Sequence, residues 1–366
     1  MKLEKVLVSG ASIAGLATAY WMNKAGYKVT VVEVAGKPRI GGTAVDLRLG
    51  TIDVIKRMGI YGQIKSNQLN LELVEFKNAQ DETEGSMIQP RNVSGEEIEI
   101  ERTQLVGILY ETVKNDIEFI FNNSITALSE SPENISATFK DGSQRTFDLV
   151  FGCDGTHSGV RKIWFGEEAE YLHFLGAYFS ISIVNRSLVK PNTIQFYNTP
   201  GKAYMLNAYK DLTDIVFCFS SEKEIPYDYR DTAQQRKIIL EQFEGGSWRT
   251  AELLEEVANS ENFYFDKFCQ IKMPSWTKGR VALVGDAAYC ASPAAGMGGS
   301  LALDGAAALA DALQKHNGNY ELAFQDYNTS LRPFIEEVQA EAEVNAREKL
   351  IPQTEEAIQR RNREGL

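Results

Sequence analysis

Two couplets in the chain join an acid to a glycine where a strand should end. Asp154-Gly155 follows an apolar run in FDLVFGCDGTHSGVR, and Gly285-Asp286 follows VALV in GRVALVGDAAYCASPAAGMGGSLALDG. An aspartate at the carboxyl end of a parallel strand can accept hydrogen bonds from a polyol. Beyond Asp286 come Pro293, Gly296, Met297 and Gly298, and then a strongly helical stretch. A glycine-rich helix start turns backbone N–H groups and the positive helix end toward an anionic ring edge. The bland alternative is a strand with a turn and a loop whose glycines merely need positive φ.

A third motif, VSGASIAGLATAY at residues 8–20, almost spells the dinucleotide fingerprint G-x-G-x-x-G. Gly10 and Gly15 hold the outer places, Ser12 replaces the middle glycine, and Ile13 and Ala14 complete the loop. The first glycine allows a tight turn and the last allows close helix–strand packing. Serine is the next smallest residue and adds a hydroxyl donor for a pyrophosphate. The context fits: Val6-Leu7-Val8 reads as a buried strand, residues 13–24 as a helix, and YKVTVVE as a second strand ending in Glu33. Glu33 lies eighteen residues after Gly15, where a carboxylate would accept the ribose hydroxyls of adenosine. These residues predict a site for the ADP half of NAD or FAD. The two acid–glycine couplets favour FAD, whose ribityl hydroxyls suit an aspartate. Its N1–C2 carbonyl edge becomes negative on reduction and suits the helix start.

In this order the three motifs resemble those of the single-component FAD-dependent aromatic hydroxylases, the superfamily typified by p-hydroxybenzoate hydroxylase. Within it, RIGGTAVDLRLGT at 39–51 is similar to the tetracycline-inactivating flavin monooxygenases. The resemblance implies that Arg39 contacts NADPH, that Asp46 contacts the flavin, and that Arg102, at a helix start in EIERTQLVGILYE, contacts FAD. On the residues alone, Asp46 could instead be a turn residue and Arg102 a solvated helix-terminal charge. The chain departs from the pattern in the spacing between Arg39 and the glycines, at Tyr289, where histidine is common, and at Gly299-Ser300, where asparagine often follows G-x-G. The implied fold is α/β: a Rossmann-like FAD-binding domain (βαβ, parallel sheet) with an inserted mixed β-sheet substrate domain and a C-terminal bridging helix. The implied activity is NADPH-consuming hydroxylation by O₂, through a C4a-hydroperoxyflavin, of an apolar aromatic or polycyclic molecule, with tetracyclines one candidate. No acid–base pair or nucleophile stands out, which suits chemistry carried by a cofactor. A flavin reductase of the geranylgeranyl type and a non-enzymatic flavin- or small-molecule-binding protein remain open.

Composition narrows the classes. The 366 residues are 43% hydrophobic, ample for one large or two intimate domains. A formal charge of −12 disfavours nucleic acid and anionic membranes, which would repel it. No apolar run is long enough to span a bilayer, and LEKVLVSG reads as a strand rather than a leader. Cys153, Cys218, Cys269 and Cys290 show neither metal nor disulfide spacing, and three scattered histidines give no metal site; a reducing cytoplasm fits. No second nucleotide loop appears, since Glu244-Gly245-Gly246-Ser247 follows a helical pattern and Thr199-Pro200-Gly201 reads as a hairpin turn. That disfavours enzymes with a separate NADPH-binding Rossmann unit.

The elements that must position these residues are discontinuous. The FAD-binding part is expected at 1–70, 101–165 and 270–325, the substrate domain at 71–100 and 166–269, and a C-terminal helix over 326–366. Within the larger insertion, HFLGAYFSISIV, TIQFYNT, KAYMLNAY and DIVFCFSS read as strands, followed by helices at 232–244 and 248–258. Eight aromatics crowd those strands (Phe174, Tyr178, Phe179, Phe196, Tyr197, Tyr204, Phe217, Phe219), and alternation should send half to each face. A long amphipathic helix from Tyr320 to about Arg347, broken or bent near Pro333, is expected to buttress both domains through Leu322, Phe324, Tyr327, Leu331 and Phe334.

Overall fold

The computed structural model describes residues 4–38, 41–88 and 97–365. Its first strand, β1 (Lys5–Ser9), buries Val6, Leu7 and Val8 completely, as an apolar run covered on both faces must. It lies inside a six-stranded sheet. The order is Thr277–Lys278, Val281–Leu283, Leu149–Gly152, β1, β2 (Lys28–Glu33), Glu118–Phe121. All pairings are parallel except at the Thr277–Lys278 edge. Helix α1 (Ile13–Lys24) makes the first crossover and packs on the helix Gly298–Lys315. The three motif-bearing strand ends, Ser9, Gly152 and Leu283, are thus adjacent and point the same way, though they are far apart in sequence.

The two insertions together form a seven-stranded mixed sheet. Its order is Asn262–Ile271, Leu172–Val184, Leu212–Ser220, Lys202–Tyr209, Thr193–Thr199, Leu73–Lys77, Thr83–Ile88. Alternation sorts its aromatics unevenly. Tyr178, Tyr197, Tyr204, Phe217 and Phe219, with Phe174 alongside, form a core under the helices Thr232–Phe243 and Thr250–Asn259. Of the eight aromatics named from the sequence, only Phe179 and Phe196 take the opposite face, where Ile181, Met205, Val216 and Phe268 pack with them near Ala294. That face looks toward the parallel layer.

The short strand Ile98–Ile100 leaves this sheet and pairs instead with Val45–Leu47 as a two-stranded ribbon. Asp46 therefore sits in a strand, not a turn. A three-stranded antiparallel sheet over residues 125–147 had no clear signal in the sequence. At the C-terminus the helix Tyr320–Asn345 runs unbroken through Pro333. It buries Phe324 and Tyr327, but Leu322 and Phe334 stay exposed, so its buried face is carried further by Ile335, Val338, Gln339 and Ala342. The Gln339 amide donates to the Ile271 and Cys290 carbonyls, joining the seven-stranded sheet to the parallel layer. A π turn (Ala346–Leu350) and a further helix, Glu355–Glu364, complete the chain. No helix among the described residues is long and apolar enough to cross a membrane.

Candidate functional site

The glycine loop after β1 is held by contacts that leave no room for side chains. A Cβ on Gly10 would lie 2.5 Å from the Cys153 carbonyl oxygen, at φ +102°, and one on Gly15 would lie 1.8 Å from the Gly10 carbonyl oxygen. Ile13, Ala14 and Gly15 are buried in the first turn of α1. That helix has no side-chain cap and no acid in its first turn, so its N–H groups remain open to an anion. Ser12 leaves the cap role because its Oγ accepts a hydrogen bond from Arg102 Nη2 (2.8 Å), which keeps the hydroxyl hydrogen free. Arg102 also donates to the Gly41 carbonyl (2.8 Å) and is a brace between two loops, not a solvated terminal charge. Glu33 is buried at the end of β2, where its carboxylate accepts from the N–H groups of Ala11 (2.7 Å) and Ala35 (2.9 Å). One lone pair on each oxygen remains for another donor.

The second couplet turns inward. Asp154 accepts from Ser158 Oγ (2.5 Å) and from the Val160 N–H (3.0 Å), so it folds the turn that starts the helix Gly159–Trp164. Burial raises its carboxyl above the usual range, and these hydrogen bonds partly offset that. Arg161, fully buried, extends from that turn to the Ala287 carbonyl (2.9 Å) and the Thr156 carbonyl (2.5 Å), fastening the two couplets together. The neighbouring His157 lies between Glu168 (3.1 Å) and Asp266 (3.5 Å) of the seven-stranded sheet. Burial alone would lower its pKa, but the two carboxylates outweigh that and lift it to about 9. Sequence reasoning missed both struts.

At the third motif the pattern of exposure is informative. From Val281 to Leu303 nearly every residue is buried, but Asp286, Pro293, Gly296 and Gly298 are exposed. Met297, in contrast, is buried. These exposed residues mark a solvent-accessible track along the third motif. Asp286 is exposed on it, yet the surrounding protein desolvates the carboxyl enough to raise its pKa despite the Arg102 charge and the Cys290 thiol. The helix Gly298–Lys315 opens on this track with no side-chain cap and no acid in its first turn. Asp46 forms the opposite side: a Cβ on Gly296 would lie 3.6 Å from its Oδ2, and Ser300 Oγ donates to its backbone carbonyl (2.8 Å). Burial and the neighbouring Glu97 push the Asp46 carboxyl up to about 6, with Arg48 opposing. Arg39 lies outside the described residues. The structure thus brings Gly10, Ser12, Arg102, Asp46, Asp286 and the 293–298 turn to one track. Two uncapped helix starts there are open to anionic groups, and the desolvated Asp286 carboxylate can accept from a polyol, a donor and acceptor set that fits FAD. A surface groove of about 680 Å³ beside Lys278, Tyr320 and Arg332 contains none of these residues.

Comparison with known proteins agrees. The family described as FAD binding domain matches residues 4–342. A prokaryotic flavin-dependent monooxygenase is 37% identical over 345 residues, covering 92% of this chain and 88% of its own. A flavin-dependent monooxygenase of Legionella longbeachae is 36% identical, covering 91% and 86%. Among solved structures, tetracycline destructase Tet(51) superposes with a TM-score of 0.88 at 36% identity, over 99% of this chain and 95% of that one. A Klebsiella pneumoniae HpxO complexed with FAD and uric acid shares the fold, with a TM-score of 0.75 at 16% identity.

Proposed function

Because this chain belongs to the FAD-binding family of flavin-dependent monooxygenases, we propose that it consumes NADPH to hydroxylate an apolar polycyclic phenol of the tetracycline type. The observation that carries the substrate class is the sheet face above the track. Phe179, Ile181, Met205 and Val216 make it apolar, while Tyr178, Tyr197, Tyr204, Phe217 and Phe219 are spent on the opposite core. The resemblance to Tet(51) over nearly the full chain supports the same class.

Gly10 to Gly15, Glu33 and Arg102 would hold the ADP half of FAD, and Asp286 with the 296–298 turn would hold the flavin half. Bound and reduced, FAD supplies the electrons that activate O₂ for transfer of one oxygen atom. The uncapped start of the Gly298–Lys315 helix would turn its positive end toward the flavin half and favour negative charge there. The apolar sheet face would keep water from the reacting atoms. Arg39 would draw in NADPH.

The test is oxygen bookkeeping with a tetracycline as first substrate. Without it, NADPH oxidation should yield hydrogen peroxide; with it, peroxide should fall and product should carry one atom of ¹⁸O from labelled O₂. Product unoxygenated, or labelled only from water, would reject the monooxygenase reading for this chain.

A further inference from the structure

Among the described residues, one end of the apolar sheet face is walled by acceptors, Asn207, Asp214 and Glu99, that form no ion pair. Asp214 and Asn207 are cross-strand partners, so their side chains share that face. Asp214 is fully buried and accepts from Thr43 Oγ1 (2.7 Å) and the Tyr209 hydroxyl (2.8 Å), which ties the loop before Asp46 to the sheet. Glu99 pairs directly across the ribbon from Asp46, which borders Gly296 on the track. The wall therefore runs from Asn207 through Asp214 and Glu99 to the cofactor side.

A group of acids alone would signify nothing. Asn207 supplies the independent observation. It is 4% exposed, its Oδ1 is buried, and no hydrogen bond to it exists among the described residues. A buried amide oxygen left so costs stability that an apolar residue of the same shape would not. A ligand donor would satisfy it. Among the described residues no three of these acids converge as metal ligands would, so the wall suits a wider, organic cation. Among the described residues, Arg48 is bound to Glu97, and Lys210 to Glu101.

We propose that Asn207, with Glu99 and Asp214, forms a subsite for a protonated amine carried on the edge of the polycyclic substrate. The inference rests on the monooxygenase reading for the position of that substrate, but it makes a separate claim about recognition. Burial, with Asp46, Asp214 and Glu97 nearby, pushes Glu99 up to about 8. The carboxyl is thus protonated at neutral pH and would release that proton when a cation arrives.

The experiment uses the FAD-loaded, oxidised enzyme without NADPH, and two probes: tetracycline, which bears a dimethylamino group, and its dedimethylamino analogue. Tetracycline should bind about tenfold more tightly, the effect of one charge-assisted hydrogen bond. Its binding enthalpy should vary with buffer as a proton is released, and Glu99→Gln should abolish that variation. Asn207→Leu should remove most of the preference for tetracycline while leaving the melting temperature unchanged or higher, a combination that a merely structural role for Asn207 would not give. Equal affinity for the two probes, equal losses in Asn207→Leu, or no binding of either probe would overturn the inference. If the enzyme still transferred labelled oxygen, the monooxygenase reading would stand without it. Selective amine binding with no oxygen transfer would retain the subsite and reject that reading.

Discussion

Asp286 and Asp154 show how one residue type serves two ends at a single site. Asp154 has its acceptors occupied by Ser158 and Val160, whereas Asp286 faces the accessible track. Asp286→Asn should therefore weaken FAD binding by about 1.5–3 kcal/mol, the worth of a charged hydrogen bond, as read by flavin fluorescence titration. Unchanged affinity would remove Asp286 from the ribityl contact. Glu99 carries a pH signature of its own. Its carboxyl is raised to about 8 in the folded state, so the native chain holds a proton that the unfolded chain loses near 4.5. Stability must fall as pH rises across that window. Glu99→Gln should gain on the parent between pH 5 and pH 8.5 by on the order of 1 kcal/mol, discounted for the water that reaches the ribbon, and melts at the two pH values decide it. A constant offset between the proteins would show that Glu99 does not titrate there. The loop glycines and Glu33 were legible in the sequence because close backbone approach and a strand end dictate such residues locally. Arg161 and Ser300 were not, since each acts on a partner more than a hundred residues away and nothing in its own neighbourhood marks it.

At the scale of elements, the periodicity of α1 and the alternation of the sheet strands were readable, because each follows from burying one or both faces. The ribbon pairing of Ile98–Ile100 was not, since a three-residue strand carries too few positions to show which partner it fits. Nor was the uneven sorting of aromatics: alternation fixes which residues share a face, but not which face meets the helices. The Gly298–Lys315 helix illustrates packing that the sequence hid behind a departure from the family pattern. Tyr289 is buried beneath it, with its hydroxyl accepting from Tyr327 (3.1 Å), and a Cβ on Gly305 would lie 1.7 Å from that hydroxyl oxygen. Tyrosine at 289 thus requires glycine at 305. Gly305→Ala should destabilise by about 1–3 kcal/mol, the cost of an overpacked core. Tyr289→Phe in the same chain should return part of that, because the clashing oxygen is gone. Additive losses in the double variant, measured by denaturant unfolding, would place the strain elsewhere.

Across the whole molecule, the two layers meet along the track and are joined beside it by a few buried polar links. Gln339 holds Ile271 and Cys290, His157 lies between Glu168 and Asp266, and Asp214 grips Thr43. Each link spans from one layer to the other, so opening the layers breaks every one of them, at about 0.5–1.5 kcal/mol net for each hydrogen bond. The layers should therefore unfold as a unit, although a chain of this length often divides into domains. A ligand that binds only the folded state raises stability by RT ln(1 + [L]/Kd), about 2.7 kcal/mol at a hundredfold excess over Kd. Calorimetry with and without FAD should accordingly show one transition that moves upward whole, by roughly 3–6 °C given the size scaling of unfolding entropy. Two transitions, of which only one responds to FAD, would mean that the helical cover of the aromatic core melts independently, and that these links do not couple it to the cofactor layer.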